Sequence, residues 1–136
     1  MLKVVIAYDG SIQAHKALEL LRWWPSSALD VLIATAVPGP GLNEIGDAVD
    51  RDAGKESEAV DFQRKALEYL SRNGIKGEAV ICTGDPANSV LDLAEAAKAD
   101  IIITGSRGLN LAKRVLLGSV SEDIVRRATC PVLLAR

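Results

Sequence analysis

The sequence predicts a doubly wound α/β fold, a three-layer sandwich in which five parallel strands form one sheet with helices on both faces. Two observations carry this. Short apolar, β-branched runs alternate along the 136 residues with stretches whose apolar residues recur at helical spacing. The runs are also apolar at consecutive positions, so each strand is buried on both faces, as in a parallel sheet covered by crossover helices. Right-handed crossovers then place helices on each side.

Each element has its own signal. Leu2 to Tyr8 is the first strand and ends in Asp9-Gly10-Ser11; Ser11 caps a helix whose Ala14, Ala17, Leu18, Leu21 and Trp24 share one face as far as Pro25. Leu29 to Val37 is the second strand, broken by Pro38-Gly39-Pro40-Gly41. Val60, Gln63, Ala66, Leu67 and Leu70 make the next helical face, which Asn73-Gly74 stops. Ile75 to Thr83 is the third strand, and Asp85-Pro86 reads as N-cap and first residue of a helix with Val90, Leu91 and Ala94 inward. Ile101 to Thr104 is the fourth strand. Ser119-x-x-Glu122 has the form of a capping box opening the last helix, and Pro131 to Ala135 is the fifth strand. With no repeat or low-complexity tract, residues 1–136 are expected to form a single domain that buries roughly two thirds of its unfolded surface.

Composition narrows the function classes. Apolar residues make up 49% of the chain and the net charge is −2, which leaves no basic footprint for nucleic acid. No window approaches the ~20 apolar residues of a membrane helix. The apolar start is too short for a signal-peptide core with a cleavage site. The expectation is a cytoplasmic protein without nucleic-acid or membrane partners.

The chemistry concentrates after the fourth strand. Gly105-Ser106-Arg107-Gly108, nine further residues and Gly118-Ser119 form a glycine-rich loop leading to a helix start. Glycines there let backbone approach a bulky anion, and the helix end supplies N–H groups without intrahelical partners. This is neither G-x-x-x-x-G-K-[ST] nor G-x-G-x-x-G, so a Walker-type NTPase and an ordinary dinucleotide site are both unsupported.

The spacing resembles the universal stress protein family, whose ATP-binding members carry G-x-x-G, nine residues and G-[ST] after the fourth strand. Val4-Val5-Ile6-Ala7-Tyr8-Asp9-Gly10-Ser11 is similar to the family's first strand with its Asp-x-Ser, and Cys130-Pro131-Val132-Leu133-Leu134 to its last. The resemblance spans the chain. It implies a Rossmann-like sheet of order 3-2-1-4-5, an ATP-binding stress-response function and a homodimer through the edge strand 131–135. In that order strands 1 and 4 are neighbours whose helices leave on opposite faces, so Asp9 and the Gly105 loop meet at the switch point where such sheets bind ligands.

On this frame Gly105, Gly108 and Gly118 would offer backbone N–H groups to a triphosphate, with Ser106 inside the same loop. The Ser119 and Ser121 hydroxyls would donate to phosphate oxygens near the positive helix end, and Val120 would contribute backbone. Arg107, and with it Lys113 and Arg114, would neutralise phosphate charge. Asp9 would either accept from a ribose hydroxyl or hold Mg²⁺ against the phosphates. Ala36 aligns with the family residue that contacts adenine, and Val37, Ala7 and Tyr8 would supply apolar wall and main-chain polar atoms. The cofactors implied are ATP, or AMP or ADP, with Mg²⁺.

Other readings compete. No strong catalytic base is evident, so the leading function is a nucleotide-binding regulator with slow or incidental hydrolysis, acting on a downstream protein partner that sequence does not name. The alternative is a slow ATPase or phosphotransferase using Asp9 and Mg²⁺. An interaction module without nucleotide is at odds with the intact glycine spacing, and flavodoxin-like electron transfer lacks aromatics beside the loop. Asp9, Ser11 and His15 mimic a triad but lack a G-x-S-x-G elbow, leaving His15 as a partly exposed helix residue. In the implied order Cys82 and Cys130 sit on opposite edges, ~19 Å apart, beyond disulfide reach and too few with one histidine for structural zinc. Trp23 and Trp24 end the packed face of the first helix, one of them partly exposed.

Overall fold

The computed structural model describes residues 1–39, 45–106 and 118–136. Its elements are β1 (Leu2–Ala7), α1 (Ile12–Glu19), β2 (Leu29–Val37), α2 (Ile45–Arg72), β3 (Lys76–Thr83), α3 (Pro86–Ala96), β4 (Ile101–Gly105), α4 (Ser119–Arg127) and β5 (Val132–Ala135). The strands form one parallel sheet in the order β3-β2-β1-β4-β5, as the family resemblance implies.

Two apolar clusters cover the two faces. Val4 and Ile6 point towards α1 and α2, meeting Leu18, Leu21, Ala66 and Leu70. Val5 points the other way, and with Leu32 and Ile102 packs on Val90, Ala94 and Ile124 of α3 and α4. Side chains alternate along a strand, so a strand apolar at every position feeds both layers. Val4, Val5 and Ile6 are all fully buried.

Several boundaries depart from the sequence reading for local reasons. The first helix does not run unbroken to Pro25: after α1 the chain tightens into a 3₁₀ turn over Leu20–Trp23. Pro25 forces its predecessor out of helical geometry, and Trp24 is extended at φ −120°, ψ 151°. Trp23 is left 71% exposed while Trp24 packs on the first cluster. α2 starts at Ile45, well before the apolar stripe that begins at Val60. The intervening stretch is rich in charge and holds Gly46 and Gly54, which hide its helical period. Ser11 and Asp85 cap α1 and α3 as expected, accepting from the Ala14 and Asn88 amides at 3.1 and 2.9 Å.

The capping box does not form. Gly118, extended at φ −70°, ψ 160°, is the N-cap of α4, and its carbonyl accepts from the Glu122 amide at 2.9 Å. Ser119 is therefore the first helical residue rather than the cap. Glu122 turns outward to pair with Arg126.

Ile103 is fully buried in β4. Ile103→Ala is expected to lower the unfolding free energy by ~2–5 kcal/mol in urea denaturation, whereas Val125→Ala, on the exposed side of α4, should change it by less than about 0.5 kcal/mol.

Candidate functional site

The carboxyl ends of β1 and β4 diverge around a cavity of about 310 Å³, within the range of small-ligand sites. Its depth follows from side-chain size. Val5 and Leu32 fill the sheet face below, but the next residues on that face are Ala7, Ala34 and Ala36, with Ala7 in register with Ala34 and Thr104. These methyl groups take up less space than the side chains below, and with Pro86 and Val90 they line the trough.

One wall is the turn from β1 into α1. Asp9 Oδ1 accepts from the Ser11 amide at 3.0 Å, and the Ser11 hydroxyl then caps α1. Gly10 lies at φ +80°, and a Cβ there would sit 2.8 Å from the Phe62 ring. Only glycine satisfies both the left-handed backbone and that contact. Asp9 is the sole carboxylate among the described lining residues. The Tyr8 phenol is pushed above its ordinary pKa, first by burial and then by the charge of Asp9.

The opposite wall joins β4 to α4. The Gly118 amide donates to the Ser106 carbonyl at 2.7 Å, and the Ser106 amide donates to the Ala135 carbonyl at 2.7 Å. Ser106 is thus a buried clasp, absent from the cavity lining, and the Gly118 N–H expected for phosphate is already used. The Ser121 hydroxyl, also expected to face phosphate, donates to the Gly105 carbonyl. What remains at this end are the amides of Ser119, Val120 and Ser121, which precede the first carbonyl-paired amide of the helix, at Glu122. All three residues line the cavity, and Ser119 is exposed to it. Such a helix end favours an anion.

Gly105 is glycine for a different reason from the one its motif suggests. A Cβ there would lie 2.8 Å from Gln13 Cβ and 2.9 Å from the Gln13 carbonyl carbon, so its bareness seats α1 against β4. Gly118 has a φ open to any residue, and it lines the cavity.

Ala7, Tyr8, Asp9, Ala36, Gly105, Gly118, Ser119, Val120 and Ser121 all line this one cavity. Val37 does not: it is buried, and its carbonyl accepts from the Gly84 amide. Arg107, Gly108, Lys113 and Arg114 lie outside the described residues. The sequence reading missed Ser11, Ala14, Ala34, Pro86, Val90 and Thr104 as lining residues. The readable signal was the run of small residues at the ends of β1 and β2 and the helix start immediately after β3. Among the described residues no group of three His, Cys, Asp or Glu side chains forms a metal cluster. The triad look-alike does not assemble, since Ser11 Oγ caps α1 and His15 faces Glu19 and the Tyr69 ring. Cys82 and Cys130 are free, and burial raises the Cys82 thiol pKa. No described helix is long and apolar enough to cross a membrane.

An open parallel sheet with an anion-favouring helix end at its switch point defines a doubly wound α/β domain with a crevice where such sheets bind ligands. Comparison places it more narrowly. The sequence profile of the Universal stress protein family matches residues 1–136, and the chain belongs to that family. It is 30% identical to universal stress protein YxiE of Bacillus subtilis over 98% of each chain. The solved structure of MJ0577 from Methanocaldococcus jannaschii superposes with a TM-score of 0.90 at 26% identity, covering 99% of this chain and 96% of that one. A universal stress protein solved in complex with cAMP gives a TM-score of 0.72 at 25% identity over 99% and 96% of the two chains.

Gly105→Ala is expected to cost ~1–3 kcal/mol of stability, read as a lowered melting temperature, because the added methyl drives Gln13 and the start of α1 outward.

Proposed function

We propose that the protein is a single-domain, cytoplasmic ATP-binding regulator of the universal stress protein type, with the nucleotide between β1 and β4. The observation that carries it is the convergence of Asp9, Gly105 and the amides of Ser119 to Ser121, distant in sequence, on one cavity floored by alanines. A relative's complex with cAMP supports the nucleotide class. The motif spacing favours ATP within that class. The base enters the trough over Ala36, Ala34 and Ala7, facing Pro86 and Val90. The phosphates meet the N-terminus of α4, where three amides without a carbonyl partner among the described residues and the helix dipole hold negative charge. Asp9 would accept from a ribose hydroxyl or hold a Mg²⁺ against the phosphates, since hard cations prefer oxygen ligands. With one carboxylate among the described lining residues, and that one tied to the Ser11 amide, hydrolysis is slow or incidental. Two free cysteines accord with a reducing compartment.

Calorimetric titration of nucleotide-free protein is expected to show Mg-ATP binding tighter than GTP. Gly118→Val, still folded by circular dichroism, should weaken ATP by at least about tenfold, ~1.4 kcal/mol, because a branched side chain fills the phosphate space. No heat with ATP, ADP or AMP at millimolar concentration would sink the reading.

The edge strand β5 supports a second part of the proposal, a homodimer. Val132, Leu133 and Leu134 are partly exposed at the sheet edge, without an internal charge to discourage pairing. Pairing of β5 with its copy about a two-fold axis covers both edges. Sedimentation equilibrium should give a dimer mass, and Leu133→Lys should shift it towards monomer; a parent that stays monomeric at high micromolar concentration refutes the assignment.

A further inference from the structure

Gln63 is out of character for its place. It is 5% exposed on the inner face of α2, between Ala59 and Ala66 at 1% each. A buried amide costs free energy unless it is hydrogen-bonded, and this one is. Its Nε2 donates to Thr35 Oγ1 at 2.8 Å and to the Val80 carbonyl at 2.9 Å. Thr35 Oγ1, itself buried, donates onward to the Tyr8 carbonyl at 2.7 Å. The chain of bonds therefore crosses from α2 through β2 to the last peptide before Asp9. The Tyr8 amide is held on its other side by the Ala34 carbonyl at 2.8 Å, and Phe62, beside Gln63, closes on Gly10 and the Tyr8 ring.

Packing alone does not call for this network. Valine at position 35 and leucine at 63 would fill similar volumes without polar atoms, but they would take the side-chain donors from the Tyr8 and Val80 carbonyls, and a buried acceptor left without a donor costs about 1–3 kcal/mol. What apolar groups cannot do is fix the orientation of a peptide plane. The plane fixed here is the one joining Tyr8 to Asp9.

We propose that Thr35 and Gln63 are positioning residues of the nucleotide crevice, which hold the Tyr8 carbonyl so that the Asp9 carboxylate is presented to the ligand. This rests on the reading of Asp9 as a nucleotide contact. It adds that α2, which contributes no described lining residue, sets the aim of that contact.

A double-mutant cycle on Mg-ATP affinity tests it, with Thr35→Val, Thr35→Ser and Gln63→Leu each made in the parent and in Asp9→Asn, and melting temperature recorded throughout. Thr35→Val and Gln63→Leu are expected to weaken ATP by about tenfold in the parent, and Thr35→Ser, which keeps the hydroxyl, to restore parental affinity to within about twofold. In the Asp9→Asn background the same substitutions should change affinity by less than about twofold, because the contact they aim is already lost. Equal losses in both backgrounds, unchanged affinity in the parent, or failure of both Thr35→Val and Gln63→Leu to fold would overturn the positioning role. A parent that binds no adenine nucleotide would instead defeat the nucleotide reading on which it rests.

Discussion

The site depends on a single backbone hydrogen bond, from the Gly118 amide to the Ser106 carbonyl at 2.7 Å. It brings the start of α4 back to the end of β4 from the far side of residues 107–117, and so fixes where the positive end of the helix lies relative to β1. Two further bonds lock the same corner. Ser106 donates to Ala135 on β5, and the Ser121 hydroxyl donates to the Gly105 carbonyl. Polar groups that a motif-based reading would aim at a ligand are thus spent on building the corner, and the ligand-facing donors are the next three amides along the helix. An anion site at a helix end needs a fixed end before it needs side chains.

The glycines of the motif divide labour in a way that spacing alone does not reveal. Gly105 is bare towards α1, where Gln13 leaves no room for a methyl group, and this close approach lets α1 start beside the β1 turn. Gly118 caps α4 and lines the cavity, and Gly10, outside the motif, is bare for both backbone and Phe62. Gly105 and Gly10 each permit a close approach, the one of a helix backbone and the other of an aromatic ring.

This division explains what the sequence could convey. The topology was legible because apolar runs such as Val4-Val5-Ile6 and Ile101-Ile102-Ile103 must be covered on both faces, and the family resemblance supplied their order. The caps at Ser11 and Asp85 were legible because a side-chain oxygen followed by an unpaired amide is a local arrangement. The cap read at Ser119 lies one residue earlier, because Gly118 is able to occupy it and its extended backbone decides the matter. The start of α2 was hidden by charge and glycine. Within the site, Asp9 was readable because the end of the first strand faces the switch point, and Ala36 because the family resemblance marks it. Pro86 and Val90 were not, since their part depends on the distance from α3 to a sheet face whose side chains are short.

That distance is the last step in the argument from sequence to site. The face of the sheet towards α3 carries Val5, Leu32 and Ile102 in its lower layer and Ala7, Ala34 and Ala36 in its upper layer, and Ala34 shares a buried cluster with Ala87, Val90 and Ala94 of α3. Asp85 caps the N-terminus of α3 directly after β3. Small side chains under Pro86 and Val90 thus line a trough placed where the amides of α4 and the Asp9 carboxylate converge. A single enlargement, such as valine at Ala34, would fill the trough without touching any polar group of the site.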